Sequence, residues 1–481
     1  AVANTTGNCN TFIGAYAGKC SDTTGEMNVF IGVSAGRCVS SDAGCNLIAG
    51  HIAGCQTTGD NNVLMGSEAG RNNTSGNNNV FIGRKAGYEN TNCSESVFIG
   101  TYSGRCNDGQ FNIAIGSVAG RGSSTASNNT GGCNVFLGKY AGQRFTSGSS
   151  NVTLGREAGQ CLTTGSNNIL LGACIWGDSG GITGDNNNTM GFKAGCSLSS
   201  GAYNNFLGYY AGKGNSTGVR NNFFGVGAGE ANTSGGCNNF IGAFAGRCNT
   251  DGDLNTFIGC YAGCANTTGC DNLYFGTAAG KAATTGCYNI FLGKDAGGGA
   301  AVTGLHNILM GTNAGKCITS GCYNVIFGES AGRDITGGKY NIAIGQYAGL
   351  ELENGRANLF MGYNAGRNST GCYNVMFGHS TGNATTTGCC NVFVGGSAGS
   401  SNTTGCDNTF LGKSAGNTNT TGCRNVAIGY DIELPSATGS NQLAIGSGTN
   451  HWITGDSNFN VGIGTNTDAA VGAEVTAKLS V

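Results

Sequence analysis

The sequence predicts an all-β protein, a repetitive β-solenoid of about 26 coils, and three observations carry that expectation. A unit close to N-x-F-I-G-x-x-A-G-x-x-x-T-T-G-x-x recurs along almost the whole chain. Its apolar segments run for three to five residues, are rich in Val, Ile and Phe, and are bounded by Gly, Asn and Thr, which is the composition of short strands between tight turns. Glycine supplies 91 of the 481 residues while Pro435 is the single proline, and because the glycines do not recur every third residue collagen is excluded.

The repeat is anchored by the glycine that closes N-x-F-I-G. The anchors run from Gly14, Gly32 and Gly50 to Gly412, Gly429 and Gly446, 25 steps over 432 residues with a mean of 17.3. Four residues before the anchor stands Asn, as in Asn10, Asn28, Asn62, Asn204, Asn289, Asn391 and Asn425; Ser96 and Gln442 are the departures. Two before it is aromatic or aliphatic in most units, as in Phe81, Phe206 and Phe291, and the residue just before it is always apolar. Ala-Gly follows at three and four residues after the anchor, and a further glycine closes Thr-Thr-Gly. Seventeen residues hold two or three short strands with their corners, so each unit is one coil, and glycine at fixed phase suits corners that need positive φ or close backbone approach. Stacked coils turn the Asn column into an amide ladder and the Phe column into an aromatic stack.

Alternation along a strand sends neighbouring positions to opposite sides. The column before the anchor, the Phe column and the Val/Ile column one step further back are all apolar, so one face fills the coil while the other lies bare. A bare apolar strip of that length far exceeds what a soluble monomer tolerates. With the crowding implied by Ala-Gly, this predicts several chains around a common axis, most simply a homotrimer. The alternative is a single chain whose two internal sheets hide both faces.

Composition narrows the function. A net charge of −2 with 10% charged residues argues against nucleic acid as a partner. A hydrophobic content of 39%, with 22 Phe and 16 Tyr, is too apolar for solvated disorder. No apolar run approaches a membrane helix, so no membrane insertion is expected. Neither paired carboxylates at a repeated phase nor a nucleophile elbow nor a phosphate loop appears, so no catalytic residue, no enzyme activity and no cofactor is assigned.

Most of the 24 cysteines fall in two phases, one preceding the Asn (Cys9, Cys45, Cys237, Cys270, Cys287, Cys322, Cys372, Cys389, Cys406, Cys423) and one following Ala-Gly. With four scattered histidines and no flanking CxxC pairs, no metal site is expected. The thiols read equally as small apolar fillers or as disulfides. The residue after Ala-Gly is often basic, as in Arg71, Arg105, Lys213 and Arg367, a column open either to anionic polysaccharide or simply to water. Three irregularities are candidate receptor contacts: the insertion beginning at Arg121, the segment of Trp176, and Trp452 near the end. Sequons at Asn215, Asn232, Asn266, Asn402 and Asn419 permit glycosylation, although Asn and Thr also suit the turn itself. Ice binding through the Thr-Thr-Gly column would need a flat array of free Thr.

The N-T-F-I-G…A-G…N-T-T-G unit resembles the repetitive shafts of bacteriophage tail fibres and related trimeric surface adhesins. Asn460-Val461-Gly462-Ile463-Gly464-Thr465, followed by Ala477-Lys478-Leu479-Ser480-Val481, is similar to the segment that precedes an endosialidase-type intramolecular chaperone domain. The resemblance implies a shaft over residues 1–446 and a transition segment over 447–481, leading to a chaperone domain that this sequence does not include. It implies a structural fibre protein at the virion surface, projecting outward for host attachment, with copies of itself and host-surface polysaccharide as partners. The alternative is an extracellular cellular filament or adhesin built from the same repeat.

Overall fold

A computed structural model describes residues 7–20, 24–40, 42–123, 129–175, 181–458 and 460–464. Among them there are strands and turns and no helix. The chain divides into two units, Ala1–Phe244 with Cys248–Asp251, and Ala245–Arg247 with Gly252–Val481. Each unit is a β-solenoid. The first runs from β1 (Thr11–Ile13) to β14 (Asn239–Ile241), and the second from β15 (Thr256–Ile258) to β28 (Val461–Ile463).

Each turn contributes one strand, the three residues before the anchor glycine, not the two or three that seventeen residues have room for. Four positions per turn hold positive φ and cut the extended backbone short. In one turn of the second unit these are Tyr288 (φ 60), Gly293 (φ 134), Asp295 (φ 56) and Gly297 (φ 57). Two of the four are not glycine, although the left-handed region costs an ordinary residue about 1–2 kcal/mol. The rest of the turn compensates by stacking in register as well. Gly297 N–H donates to Ala314 C=O at 3.0 Å, and Thr319 N–H to Thr336 C=O at 3.0 Å.

Strands of successive turns pair in parallel without slippage, so Phe81 faces Phe98 and Phe206 faces Phe223. The middle residue of each strand points into the coil. Phe81, Phe206 and Phe291 are fully buried, and their rings stack on Phe98, Phe223 and Tyr274 at centroid distances of 4.8, 5.0 and 4.7 Å. Each such ring removes apolar surface worth about 1.5–3 kcal/mol, and stacking adds ~1 kcal/mol.

The recurring Ala-Gly pair has a cause inside the turn. The alanines are buried against the core, and a Cβ on Gly297 would meet the Phe291 ring at 2.6 Å. The glycine of Thr-Thr-Gly answers a different need: a Cβ on Gly286 would lie 2.5 Å from the Gly304 carbonyl oxygen of the next turn.

At the end of the second unit the parallel stack gives way to a meander. β26 (Leu443–Ser447) still pairs in parallel with the preceding strand, then turns antiparallel against β27 (Asn450–Gly455), which pairs with β28. The change begins at an irregularity between Ile445 and Gly446, next to the last anchor. The hairpin occupies the open hydrogen bonds of β26, an edge that would otherwise invite pairing with other chains.

Candidate interaction surface

The Asn column is buried and acts as a clamp on the backbone. Asn289 N–H donates to Asn272 Oδ1 at 3.0 Å, and Asn289 Nδ2 donates to Gly304 C=O at 2.9 Å. Asn289 Oδ1 in turn accepts both the N–H and the Nδ2 of Asn307, each at 3.0 Å. Asn204 and Asn391 repeat the pattern, donating from Nδ2 to Gly218 and Gly405 C=O, both at 2.9 Å. In the first unit, Asn10 Nδ2 donates to Gly25 C=O and Asn10 Oδ1 accepts the N–H of Asn28, both at 2.9 Å. Asparagine suits this place because one side chain offers an acceptor to the next turn's amide and a donor to a carbonyl. Ser96 keeps only the first function, accepting Asn112 N–H at 3.0 Å.

A second buried column, seven residues after the anchor, escaped the sequence reading. It holds apolar residues (Phe145, Leu162, Leu198, Ile318, Ile335, Leu352), a few hydroxyl residues such as Ser369 and Thr385, and asparagines that include all five sequon positions. Asn215, Asn232, Asn266, Asn402 and Asn419 are fully buried, and their Nδ2 atoms donate to Gly218, Gly235, Gly269, Gly405 and Gly422 C=O at 2.9–3.1 Å. The nitrogen a glycan would modify is therefore inside the folded coil, and glycosylation there is corrected to a structural role. The signal was present in the sequence: Asn and large aliphatic residues exchange at one phase, which only an interior position with a backbone carbonyl in reach explains.

The outward strand face carries the flanking columns. Ile13 is 56%, Leu154 47%, Leu207 45%, Phe275 54% and Phe377 51% exposed, with the Val/Ile column beside them half-buried. In the first unit four turns break the apolar column with Asn188, Asn205, Asn222 and Asn239, where Asn188 Nδ2 donates to Asn205 Oδ1 and Asn205 Nδ2 to Asn222 Oδ1, both at 2.8 Å. Both apolar columns share this one outward face, and among the described residues no second internal sheet hides them.

In the first unit other cations gather beside the basic column that follows Ala-Gly. Lys85 Nζ lies 4.9 Å from the Tyr88 ring centroid, and the guanidinium of Arg105, in that column, 5.7 Å from it. Arg71 Nη1 donates to Tyr88 Oη at 2.8 Å, and Arg84 lies 5.5 Å from the Tyr102 ring. Glu89 receives Arg105 Nη2 at 2.8 Å and the Cys106 thiol at 2.7 Å. Burial works to raise the Glu89 pKa, but these hydrogen bonds and the charges of Arg105 and Arg121 bring it below the ordinary carboxylate value. Burial, with the bond to Glu89, pushes the Cys106 thiol up to about 12, and burial also pushes Cys93 to about 12.

Of the three candidate receptor contacts, Trp176 lies outside the described residues. Trp452 sits on β27 with 61% of its surface exposed, and its carbonyl accepts Gly464 N–H at 2.8 Å. Arg121 opens the insertion in the first unit, half-buried, and its carbonyl accepts Cys106 N–H at 2.8 Å. Asn129 closes the insertion, donating from Nδ2 to Cys106 C=O at 2.6 Å and accepting Ser123 N–H at 2.9 Å. Residues 124–128 between them lie outside the described residues. Arg121 and Trp452 belong to different units.

The cysteines that precede the Asn separate into two positions. Cys9, Cys45 and Cys237 occupy the positive-φ corner, whereas Cys270, Cys287, Cys322, Cys372, Cys389, Cys406 and Cys423 stand one residue earlier. All 24 are free thiols. Among the described residues no group of three or more His, Cys, Asp or Glu side chains is gathered to hold a metal ion. No helix among them is long and apolar enough to cross a membrane. The first threonine of the turn is engaged: Thr319 Oγ1 donates to Thr336 C=O at 3.2 Å and Thr403 Oγ1 to Thr420 C=O at 3.0 Å, so at that phase the hydroxyls are tied to the next turn. Compared with known families and characterised proteins, the chain matches no family model and no curated relative.

Proposed function

We propose that this chain is a non-enzymatic structural protein, the shaft of a virion tail fibre, and that it assembles as a homotrimer through its outward strand face. The observation that carries the reading is that face. In most turns of each unit an always-apolar residue stands beside a Val/Ile column, interrupted at Asn188, Asn205, Asn222 and Asn239, with its side chain half in water, and apolar surface of this kind marks an association site. The buried columns already satisfy the coil, so the outward residues are left for a neighbour. Three copies around one axis accord with the resemblance to tail-fibre shafts. Host-surface polysaccharide is the proposed outer partner, with the exposed ring of Trp452 and the cation-rich corner of Arg71, Arg84, Lys85 and Arg105 as its contacts.

Sedimentation equilibrium tests the assembly. The reading expects three times the chain mass of 48.2 kDa, unchanged on dilution. Leu207→Lys with Leu154→Lys should weaken the assembly without unfolding the coil, since both side chains already reach solvent. A stable soluble monomer for the parent chain overturns the reading.

A further inference from the structure

We propose that Cys372, Cys389, Cys406 and Cys423 form a binding site for soft monovalent metal ions such as Cu(I), each ion held linearly between the sulfurs of two successive turns. These four cysteines occupy the same phase of four consecutive turns in the second unit. Their sulfurs are fixed by identical contacts. Cys372 N–H donates to Cys389 Sγ, Cys389 N–H to Cys406 Sγ, and Cys406 N–H to Cys423 Sγ, each at 3.2 Å. The thiols of Cys389, Cys406 and Cys423 donate to the carbonyls of Thr387, Thr404 and Thr421 at 3.4, 3.4 and 3.5 Å. Equivalent contacts place equivalent atoms one repeat apart. The repeat is measured in these very turns by Phe393 and Phe410, whose rings lie 4.8 Å apart and only 4° from parallel.

That spacing selects the ligand. Equivalent Cβ atoms at 4.8 Å are too far apart for a disulfide, which prefers ~3.8 Å between Cβ atoms and side chains that converge. On the scale of a zinc–thiolate bond, ~2.3 Å, a metal between two collinear thiolates spans about 4.6 Å, close to the repeat. Thiolate sulfur favours soft ions, Cu(I) foremost among the biological ones. Two donors suffice for linear coordination, so the absence of larger ligand clusters does not bear on it. For each ion two S–H bonds break, two S–metal bonds form and two protons pass to water, with no change of oxidation state. The N–H donors stay on the sulfurs and stabilise the thiolates.

Serine is native to this column. Ser440 Oγ accepts Cys423 N–H at 3.0 Å, and Ser149 and Ser166 accept the corresponding amides at 3.2 and 3.1 Å. Cys→Ser therefore removes the soft ligand and keeps the backbone contact. The experiment loads the reduced, full-length chain with Cu(I) without oxygen, then passes it through a column containing excess glutathione, which strips ions held by single thiols. The C372S/C389S/C406S/C423S variant should retain two fewer ions per chain than the parent. The C133S/C237S/C260S variant, which lacks only cysteines with no cysteine at the same phase of a neighbouring turn, should retain as many as the parent. X-ray absorption on the parent should show two sulfur neighbours per retained ion. Equal retention by parent and quadruple variant overturns the proposal, as does a sulfur coordination number of three or more.

Discussion

Replacing Asn289 by Ala removes three side-chain hydrogen bonds at once. Asn307 N–H and Nδ2 lose their shared acceptor, and Gly304 C=O loses its donor. Asn289, Asn307 and their surroundings are fully buried, so water does not replace the partners. Each buried polar group left unpaired costs about 1–3 kcal/mol, and with partial relaxation the loss should be about 2–4 kcal/mol. In a solenoid each turn contacts mainly its neighbours, so the loss is local. Native-state hydrogen exchange at the Asn307 amide is the appropriate assay. At a tenfold change per ~1.4 kcal/mol its protection should fall by about 30- to 700-fold. Asn289→Ser should cost less than Ala, because Ser96 shows that a hydroxyl at this phase still accepts the next turn's amide. Lys294→Ala, exposed in the same turn, should stay within about 0.5 kcal/mol. If Ala, Ser and the Lys294 variant exchange alike, the column is not the clamp described above.

Gly297→Ala and Gly448→Ala share φ 57, so both pay left-handed strain of about 1–2 kcal/mol, but only Gly297 would drive a Cβ into a ring. Denaturant melts should place Gly297→Ala a further ~1–3 kcal/mol below Gly448→Ala, and equal losses would contradict the packing. The folded Glu89 pKa is depressed, so its contribution is present above the carboxylate's unfolded pKa and is lost as pH falls through the folded value. Glu89→Gln should be less stable than the parent near neutrality, with the gap closing in acid; a gap that persists at low pH would refute the assignment. Maleimide labelling at neutral pH should modify exposed Cys133 and Cys237 long before Cys93 and Cys106, whose thiols are pushed up to about 12 and are buried. Mass spectrometry of the modified peptides reads the order directly.

Much of the fold was legible because a repeat multiplies weak signals. One N-x-F-I-G says little, but 26 anchors at a nearly constant step leave a stacked coil as the only economical reading, and the Asn and Phe columns then follow from phase alone. The second buried column was missed because its members differ chemically. Phe145, Ile318 and Asn402 share a phase but not a polarity, and the Asn-Thr-Thr wording of the sequons drew attention to the surface. The outer Asn column at Asn188–Asn239 was likewise read as part of a uniform apolar strip.

By itself the sequence determined the period, the all-β character, the stacked Phe column and the amide ladder, because side-chain period and residue type suffice when every turn repeats the test, but which apolar face turns inward was decided by the structure. Only the tertiary structure decided how many strands each turn holds, which corners are left-handed without glycine, and what the glycines avoid. Those depend on where the next turn's carbonyls and rings lie: Gly286 is glycine because of Gly304, and Gly297 because of Phe291. Neither contact is written in the order of residues within one turn. The same holds for the thiols of Cys389 and Cys406, which are distant in sequence but are brought to a common line by a 4.8 Å repeat that no composition records.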